Sequence, residues 1–533
     1  MQFSKQTTSI SSTHLFSKLF TDYLNQAESV KPFYEFHFNK TDFETYFTKN
    51  DFNTVDRTVL VNTLHQQSQL VANTSNLTST HIDLLKLNNT YTVTTGHQLC
   101  LFTGPLYFIY KIISTINFAK TLSQQFTDKH FVPVYWMASE DNDFEEVNHI
   151  HTFGKTLLWN SNQKGSVGEF NTSGINDVIT ELKTVLGDNA NADELIQLFE
   201  TAYLKHTNLA DATRYLCNEL FGDYGLIILD GNDAQLKSLF KDEFKTDAFQ
   251  NTSAKCVNET ITELTKNYSA QVTPRDINIF YKESGLRERI EQVGEVYQVI
   301  NTDIKFTAQE LETIIDTSPE KLSPNVVLRP LYQQKILPNV AYVGGPGELA
   351  YWLEYKAMFD AYRIAMPILV PRHFVMLVDK GTQNKLQKLN LQLQDTFTDG
   401  EELIKQFIKT EHADIHLENE KNKLTQLFSE ILSAVISIDK TLVGTVEAEK
   451  QKAVNGIGSI EQKINRALKQ KSETDINQIW SIKGKLFPHN QPQERYDNFT
   501  MYYSKYGKSF LKELMEHLAY DLDSLNYTIL CEN

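Results

Sequence analysis

"TTGHQLCLFTGPLYFIYK", Thr94–Lys111, begins as the end of a buried strand and finishes as an amphipathic helix. The run "YTVTT" is rich in β-branched residues, which fit a pleated surface, and Gly96 bounds it. Pro105 suits the first turn of a helix, where its missing N–H costs nothing. Leu106, Ile109, Ile113 and Ile116 then recur at helical spacing. A second apolar run, "FVPVYWMA" (Phe131–Ala138), follows the helix. Strand, helix, strand predicts a parallel pair with a right-handed crossover. In open sheets of this kind ligands bind outside the carboxyl ends of the strands, which is where His97, Gln98 and Thr103 fall.

The pattern recurs further on. "VAYVGGPGELAYWLEYKAMF" reads as strand, turn and helix, and "MPILVPRHF" supplies another strand. Between the two halves, 149–320 mixes polar hairpin-like stretches ("HIHTFGKTLLWN"), helices and the strand "YGLIILDGND". The expected fold is therefore α/β: a Rossmann-like parallel sheet split by a large α+β insertion. The core halves are assigned to 1–148, which opens with helices, and 321–379. From about Lys380 glycine and proline thin out. Leu424, Ile431 and Ile438 lie seven apart, as do Phe428, Val435 and Leu442, and the series is interrupted at "NGIGS" before Ile457, Ile460 and Ile464. That a/d pattern predicts an antiparallel coiled-coil arm over 380–471, with 472–533 returning to pack on the core. Leu432, Ile436 and Val443 form a second apolar stripe that a second copy of the chain would cover, so a homodimer is expected.

With 533 residues the chain exceeds one ordinary core. Its net charge of −16 repels phosphate backbones and argues against nucleic acid as the main partner. Four scattered cysteines without a CxxC pair fit a reducing, cytoplasmic setting rather than a zinc ribbon or disulfide framework. "MQFSKQTTSISSTHLFSKLF" has no continuous apolar segment, so no signal peptide is expected. Nor is any apolar run long enough to span a membrane.

Three polar stretches fall at predicted strand ends: "TGHQLCLFTGP", "ASEDNDFEEVNH" and "GGPGE". Thr103, Tyr107 and Lys111 share one helix face at i,i+4 spacing, which is either a ligand-facing row or a solvated side. Glu140, Asp141 and Asp143 would bind an ammonium group, or Mg²⁺ beside phosphates, or simply favour a helix N-terminus. Gly344, Gly345 and Gly347 would let backbone N–H groups approach an anion, or merely turn the chain. Arg329, Lys335, Arg372 and Arg495, with Arg275, Arg287 and Arg289 in the insertion, are the available cations. Cys100, flanked by Leu99, Leu101 and Phe102, reads as a packed thiol. His149 and His151 would share a strand face without further metal ligands. There is no GxxxxGK[ST], so a P-loop is excluded.

The strings "TTGHQLCLFTGPLYFIYKIIS", "FVPVYWMASEDNDFEEVNH", "INIFYKESGLRERIE", "LSPNVVLRPLYQQKILPNVAYVGGPGELAYWLEYK", "MPILVPR" and "LFPHNQPQERYDNF" resemble the cysteine-adding enzymes of bacillithiol biosynthesis, a cysteine ligase family. The resemblance runs the length of the chain. It departs at His97, where glutamine is usual, and at Asn142, where histidine is usual. It implies a core like that of class I aminoacyl-tRNA synthetases and nucleotidylyltransferases, a connective-peptide-like insertion and a dimerising coiled coil. "HQLC" is only loosely like the HIGH motif of those enzymes, and no KMSKS-like loop is present. The implied reaction joins the carboxyl group of cysteine to the glucosamine amine of glucosaminyl-malate. Such an amide is uphill in water, so ATP (with ADP its counterpart) would activate the carboxylate, with the Mg²⁺ requirement left open. In that picture Gln98, Glu140, Asp141 and Asp143 are catalytic. His97, Thr103, Gly104, Tyr107 and Lys111 grip substrate at the first strand end. Gly344, Gly345, Gly347 and Glu348 form the opposite wall, and Arg329, Arg372 and Arg495 bind carboxylates. The competing readings are a nucleotidylyltransferase with another small acceptor and a non-enzymatic coiled-coil scaffold.

Overall fold

The structure, a computed structural model, describes every residue except 1, 72, 412–416 and 523. The chain forms two compact units, Met1–Leu377 with Gln491–Asn533, and Val378–Asn490. The first is built on a five-stranded sheet: β1 (Thr90–His97), β2 (His130–Met137), β3 (Ile227–Asp230), β4 (Asn339–Gly344) and β5 (Ile368–Pro371). The spatial order is β5-β4-β1-β2-β3, and every pair is parallel. The strands are buried almost throughout, as sheets covered on both faces require. β1 to β3 run outward on one side of the sheet and β4 returns to the other side of β1. The order therefore switches between β1 and β4, and a crevice opens there.

Strand β3 corrects the expected insertion. "IILD" pairs in parallel with β2, Val134 opposite Ile227 through Met137 opposite Asp230. A parallel partner needs a long crossover, and the helices between Ile175 and Phe221 supply it. The inserted material thus lies in two pieces, before and after a core strand. The second piece carries an antiparallel sheet centred on Leu286–Val293 and Ile279–Glu283. The chain also opens with a strand rather than a helix. Phe3–Ser9 pairs antiparallel with Asn526–Glu532, and mostly polar, exposed residues gave it no apolar alternation to read.

Helix α1 (Tyr107–Gln125) follows β1 and is buried continuously from Phe108 to Ala119. Four further short helices bear on the site or its neighbourhood: α2 (Phe144–Val147), α3 (Arg329–Ile336), α4 (Pro346–Trp352) and, below, α7 (Gln493–Tyr496). In the second unit, α5 (Glu418–Ile438) and α6 (Val443–Leu486) are joined by a turn at Lys440–Leu442. Lys421 pairs with Glu461 at 2.6 Å, which sets the two helices antiparallel. α6 continues past Lys471, and Gly456 and Gly458 lie within it rather than breaking it.

The seam also differs from the strict seven-residue series. Leu424, Phe428, Leu432 and Val435 are half-buried, while Leu427, Ile431 and Ile438 are 51%, 40% and 82% exposed. A straight helix drifts by about 20° per heptad, so a fixed seven-residue step rotates off the contact line. The uncovered stripe is therefore Leu427, Ile431 and Ile438, with Ile436 beside it, and not the expected Leu432–Val443 face. Among the described residues no helix is long and apolar enough to cross a membrane.

Candidate functional site

A cavity of about 770 Å³ opens at the carboxyl ends of β1, β2 and β4. Its acidic side comes from the loop after β2. The Gln98 amide donates from Nε2 to Asp141 Oδ2 at 2.8 Å and to Glu146 Oε2 at 2.7 Å, bringing two carboxylates to one nitrogen. Glu146 was passed over in the sequence, where it is one of several acids in a row. Two other acids of that row have structural partners. Glu140 accepts from Lys237 Nζ at 2.5 Å, and that lysine side chain is fully buried. Asp143 caps α2 by accepting from the Glu146 N–H, the common role of aspartate before a helix. All four line the cavity, but only Asp141 and Glu146 are assembled around a shared donor.

The cavity wall between β1 and β4 is a closed polar network. Lys111 Nζ donates to the Gly96 carbonyl and, at 2.8 Å, to Glu348 Oε1. Glu348 also accepts from the Tyr342 hydroxyl at 2.8 Å and the Gly345 N–H at 2.9 Å. Burial pushes the Lys111 ammonium below its ordinary value, with Glu348 opposing. Burial pushes the Glu348 carboxyl up, but Lys111 and the hydrogen bonds outweigh it and hold the group below the usual carboxylate range. Lys111 is thus not an uncommitted cation awaiting an anion. Gly345 and Gly347 do line the cavity, although Glu348 already caps the start of α4.

Arg372 is likewise committed. Its Nη2 and Nη1 donate to Glu494 Oε1 and Oε2 at 2.7 and 3.0 Å, and both side chains are nearly inaccessible. Arg287, from the insertion, stacks 4.0 Å over Phe280 and donates to Asn142 Oδ1 at 2.9 Å. Arg329 is different. Its guanidinium lies 5.8, 5.8 and 6.0 Å from the ring centres of Trp136, Tyr342 and Trp352, and Nη1 donates to Gln333 at 3.0 Å. Arg495 sits 5.9 Å from the Tyr107 ring. Among the described residues neither these two nor Arg275 has an ion-pair partner, and all three line the cavity. Lys335 pairs with Glu243 and is not part of it.

His97 lines the cavity next to Tyr107, with Nε2 3.8 Å from the Cys100 thiol. Burial, then the charges of Lys111 and Arg372, push its pKa well down, so the ring is neutral. Cys100 is packed, and burial pushes its thiol up to about 12. His149 and His151 share a strand face with rings 5.3 Å apart, and His151 stacks on Tyr496 at 4.0 Å.

Three expected residues fall outside the cavity. Thr103 and Gly104 form the turn into α1, where a Cβ on Gly104 would meet Cys100 Cβ at 2.6 Å. Gly344 packs against Leu349. Helical spacing put Thr103 in a row with Tyr107 and Lys111, but the helix begins only at Tyr107.

The α7 segment borders the site and carries a titrating group. Burial pushes Asp497 up from 3.8 to about 7, with the Tyr502 hydroxyl opposing. A carboxyl raised in the folded state contributes stability that is full below its unfolded value and is lost as pH rises through the folded one. Asp497→Asn should therefore gain stability over wild type between pH 5 and pH 8, a change that denaturant unfolding at the two values measures. An unchanged difference would mean that Asp497 titrates normally. Glu354, pushed by burial from 4.5 to about 7, keeps some slope of the same sign in the variant.

A doubly wound sheet with a mixed-charge cavity at its switch point, in a chain that also carries a helical-hairpin unit, defines a Rossmann-like protein with a coiled-coil domain. The chain belongs to the BshC family of bacillithiol biosynthesis: the family model described as "Bacillithiol biosynthesis BshC, N-terminal Rossmann-like domain" matches residues 3–373, and the "C-terminal coiled-coil domain" matches 375–526. A relative from Flavobacterium johnsoniae named "Putative cysteine ligase BshC" is 42% identical over 506 residues, 94% of this chain and 95% of that one. One of the same name from Cytophaga hutchinsonii is 38% identical over 531 residues, 99% and 98% of the two chains. A solved structure titled "putative arginyl t-RNA synthetase", from Campylobacter jejuni, aligns over 89% of this chain and 96% of its own, at 9% identity and a TM-score of 0.23.

Proposed function

We propose that the chain is a ligase that joins the carboxyl group of L-cysteine to the glucosamine amine of glucosaminyl-malate, completing bacillithiol. The observation that carries this reading is the division of charge in one cavity: two carboxylates gathered at Gln98, and Arg275, Arg329 and Arg495, which have no carboxylate partner among the described residues. Amines suit the first side, and the malyl carboxylates or an activating phosphate suit the second. Both substrates bring an amine, and the attacking one must reach the carbonyl neutral. Asp141 and Glu146 are the groups we assign to receive its proton. Activation by ATP fits the need for a leaving group, and these arginines are the side chains we assign to its phosphates. Free cysteine is available reduced in the cytoplasm, and a net charge of −16 sets the chain against nucleic acid.

The direct test is to incubate the purified chain with cysteine, glucosaminyl-malate and ATP and follow bacillithiol by mass spectrometry. Product that requires all three supports the reading. Pyrophosphate release that does not depend on cysteine would favour a nucleotidylyltransferase instead.

The same proposal includes a homodimer formed by the arm. Leu427, Ile431 and Ile438 form an exposed apolar row that α6 does not cover. Leu427→Glu with Ile431→Glu would place charges in such an interface, which is costly when they are buried unpaired. Sedimentation should give wild type the mass of two 61.3 kDa chains and the double variant the mass of one. A wild-type chain that sediments as a monomer at micromolar concentration would remove the dimer.

A further inference from the structure

The turn between the Cys100 loop and α1 has three consecutive positive φ angles: Phe102 at 46°, Thr103 at 71° and Gly104 at 67°. Glycine adopts such angles freely. A β-branched threonine there is an outlier, held only where its surroundings over-determine it. Thr103 does not hold itself, because its Oγ1 is buried and has no hydrogen-bond partner among the described residues.

The hold comes from far along the chain. Asn498 is completely buried, and its Nδ2 donates to the Phe102 carbonyl at 2.9 Å and the Gly104 carbonyl at 2.5 Å. Its Oδ1 accepts from the Thr500 N–H at 3.0 Å, which fixes the amide's orientation. Next to it, the Asp497 carbonyl accepts from the Leu106 N–H at 2.8 Å. On the other side of the turn, Phe102 N–H donates to the Tyr203 hydroxyl at 2.9 Å. This turn joins two parts of the cavity wall, His97–Gln98 before it and Tyr107 and Lys111 after it. Arg495, three residues before Asn498, reaches the same cavity.

We propose that Asn498 is a positioning residue: by clamping the left-handed Phe102–Gly104 turn it sets where α1 starts, and so where Tyr107 and Lys111 stand relative to Gln98. Asn498 touches no substrate in this role. Its effect on turnover rests on the proposed ligase reading, but its effect on the turn does not.

The test uses the full chain with Asn498→Ala, Asn498→Ser and Asn498→Ala/Thr103→Gly. Hydrogen exchange of the peptide spanning 101–110 should quicken about tenfold in Asn498→Ala, with the arm unchanged, as a local opening predicts. Melting temperatures give a double-mutant cycle: glycine at 103 should help the Asn498→Ala background more than it helps wild type. Bacillithiol formation should fall about a hundredfold in kcat with a smaller change in KM for cysteine, the scale expected of a misplaced group. Glycine at 103 should restore part of that loss. If Asn498→Ala does not fold, Asn498→Ser, which keeps one donor, carries the exchange and melting measurements. Wild-type exchange at 101–110, or no coupling between the two positions, would overturn the proposal. A wild-type chain that makes no bacillithiol would sink the ligase reading while exchange and melting still decide the role of Asn498.

Discussion

Replacing Asp141 with asparagine should lower bacillithiol formation about a thousandfold, within the range by which a positioned acid or base contributes. Glu146→Gln should do the same. Each carboxylate accepts from the single amide of Gln98, so one neutral replacement would leave the proposed amine site with half its charge and one fewer proton acceptor. Neither residue is in the core, and substitutions of this kind usually change stability by within about 0.5 kcal/mol. The losses should therefore appear in turnover with little movement of the melting temperature. Asp143→Asn is the matched control from the same loop. It removes the same charge but keeps the cap on α2, because asparagine caps helices as well as aspartate does. It should retain activity within about threefold, since an intact cap leaves the loop in place. Steady-state rates for the three variants decide the matter. Near wild-type rates for Asp141→Asn and Glu146→Gln, or an equal loss in all three, would remove the assignment.

The carboxylate loop shows where sequence reasoning stops. The strand ends were legible because β1 is a β-branched run and β2 and β4 are short, nearly continuous apolar runs, with glycine or acidic residues at or just after their ends. On that basis Gln98, Asp141, Gly345 and Glu348 fall at strand ends, and all four line the cavity. What the sequence does not encode locally is the choice of partner. Glu140 and Asp143 look like Asp141, yet a buried lysine from 97 residues away occupies one and the next helix occupies the other. Arg372 and Arg329 were equal candidates for a carboxylate until Glu494, 122 residues on, took the first. β3 was misread for a related reason: a short apolar strand reads the same in a core sheet as in an insertion, and only pairing with β2 tells them apart. Thr103 misled because the helix face was extrapolated through a turn that is not helical.

The largest effect on stability is expected from Lys111→Met. Lys111 and Glu348 are 2% and 24% exposed at the side chain and 2.8 Å apart. Removing one member of a buried pair strands the other, at a typical cost of about 3–5 kcal/mol. The pH dependence then identifies the cause. In wild type the Glu348 carboxyl lies below its ordinary range, so its contribution is present above the unfolded value and is lost as pH falls through the folded one. Without the ammonium, burial, which pushes this carboxyl up, faces less opposition, and its pKa should rise above the unfolded value. Stability in the variant is then lost as pH rises, so the deficit against wild type should widen from pH 5 to pH 8. Lys111→Met/Glu348→Gln should recover most of the loss at pH 8, because no buried charge is left unpaired. Denaturant unfolding of the single and double variants at both pH values measures this. A deficit in Lys111→Met that stays constant with pH, or that Glu348→Gln fails to relieve, would show that Lys111 stabilises the wall by packing alone and that the Glu348 charge is satisfied without it.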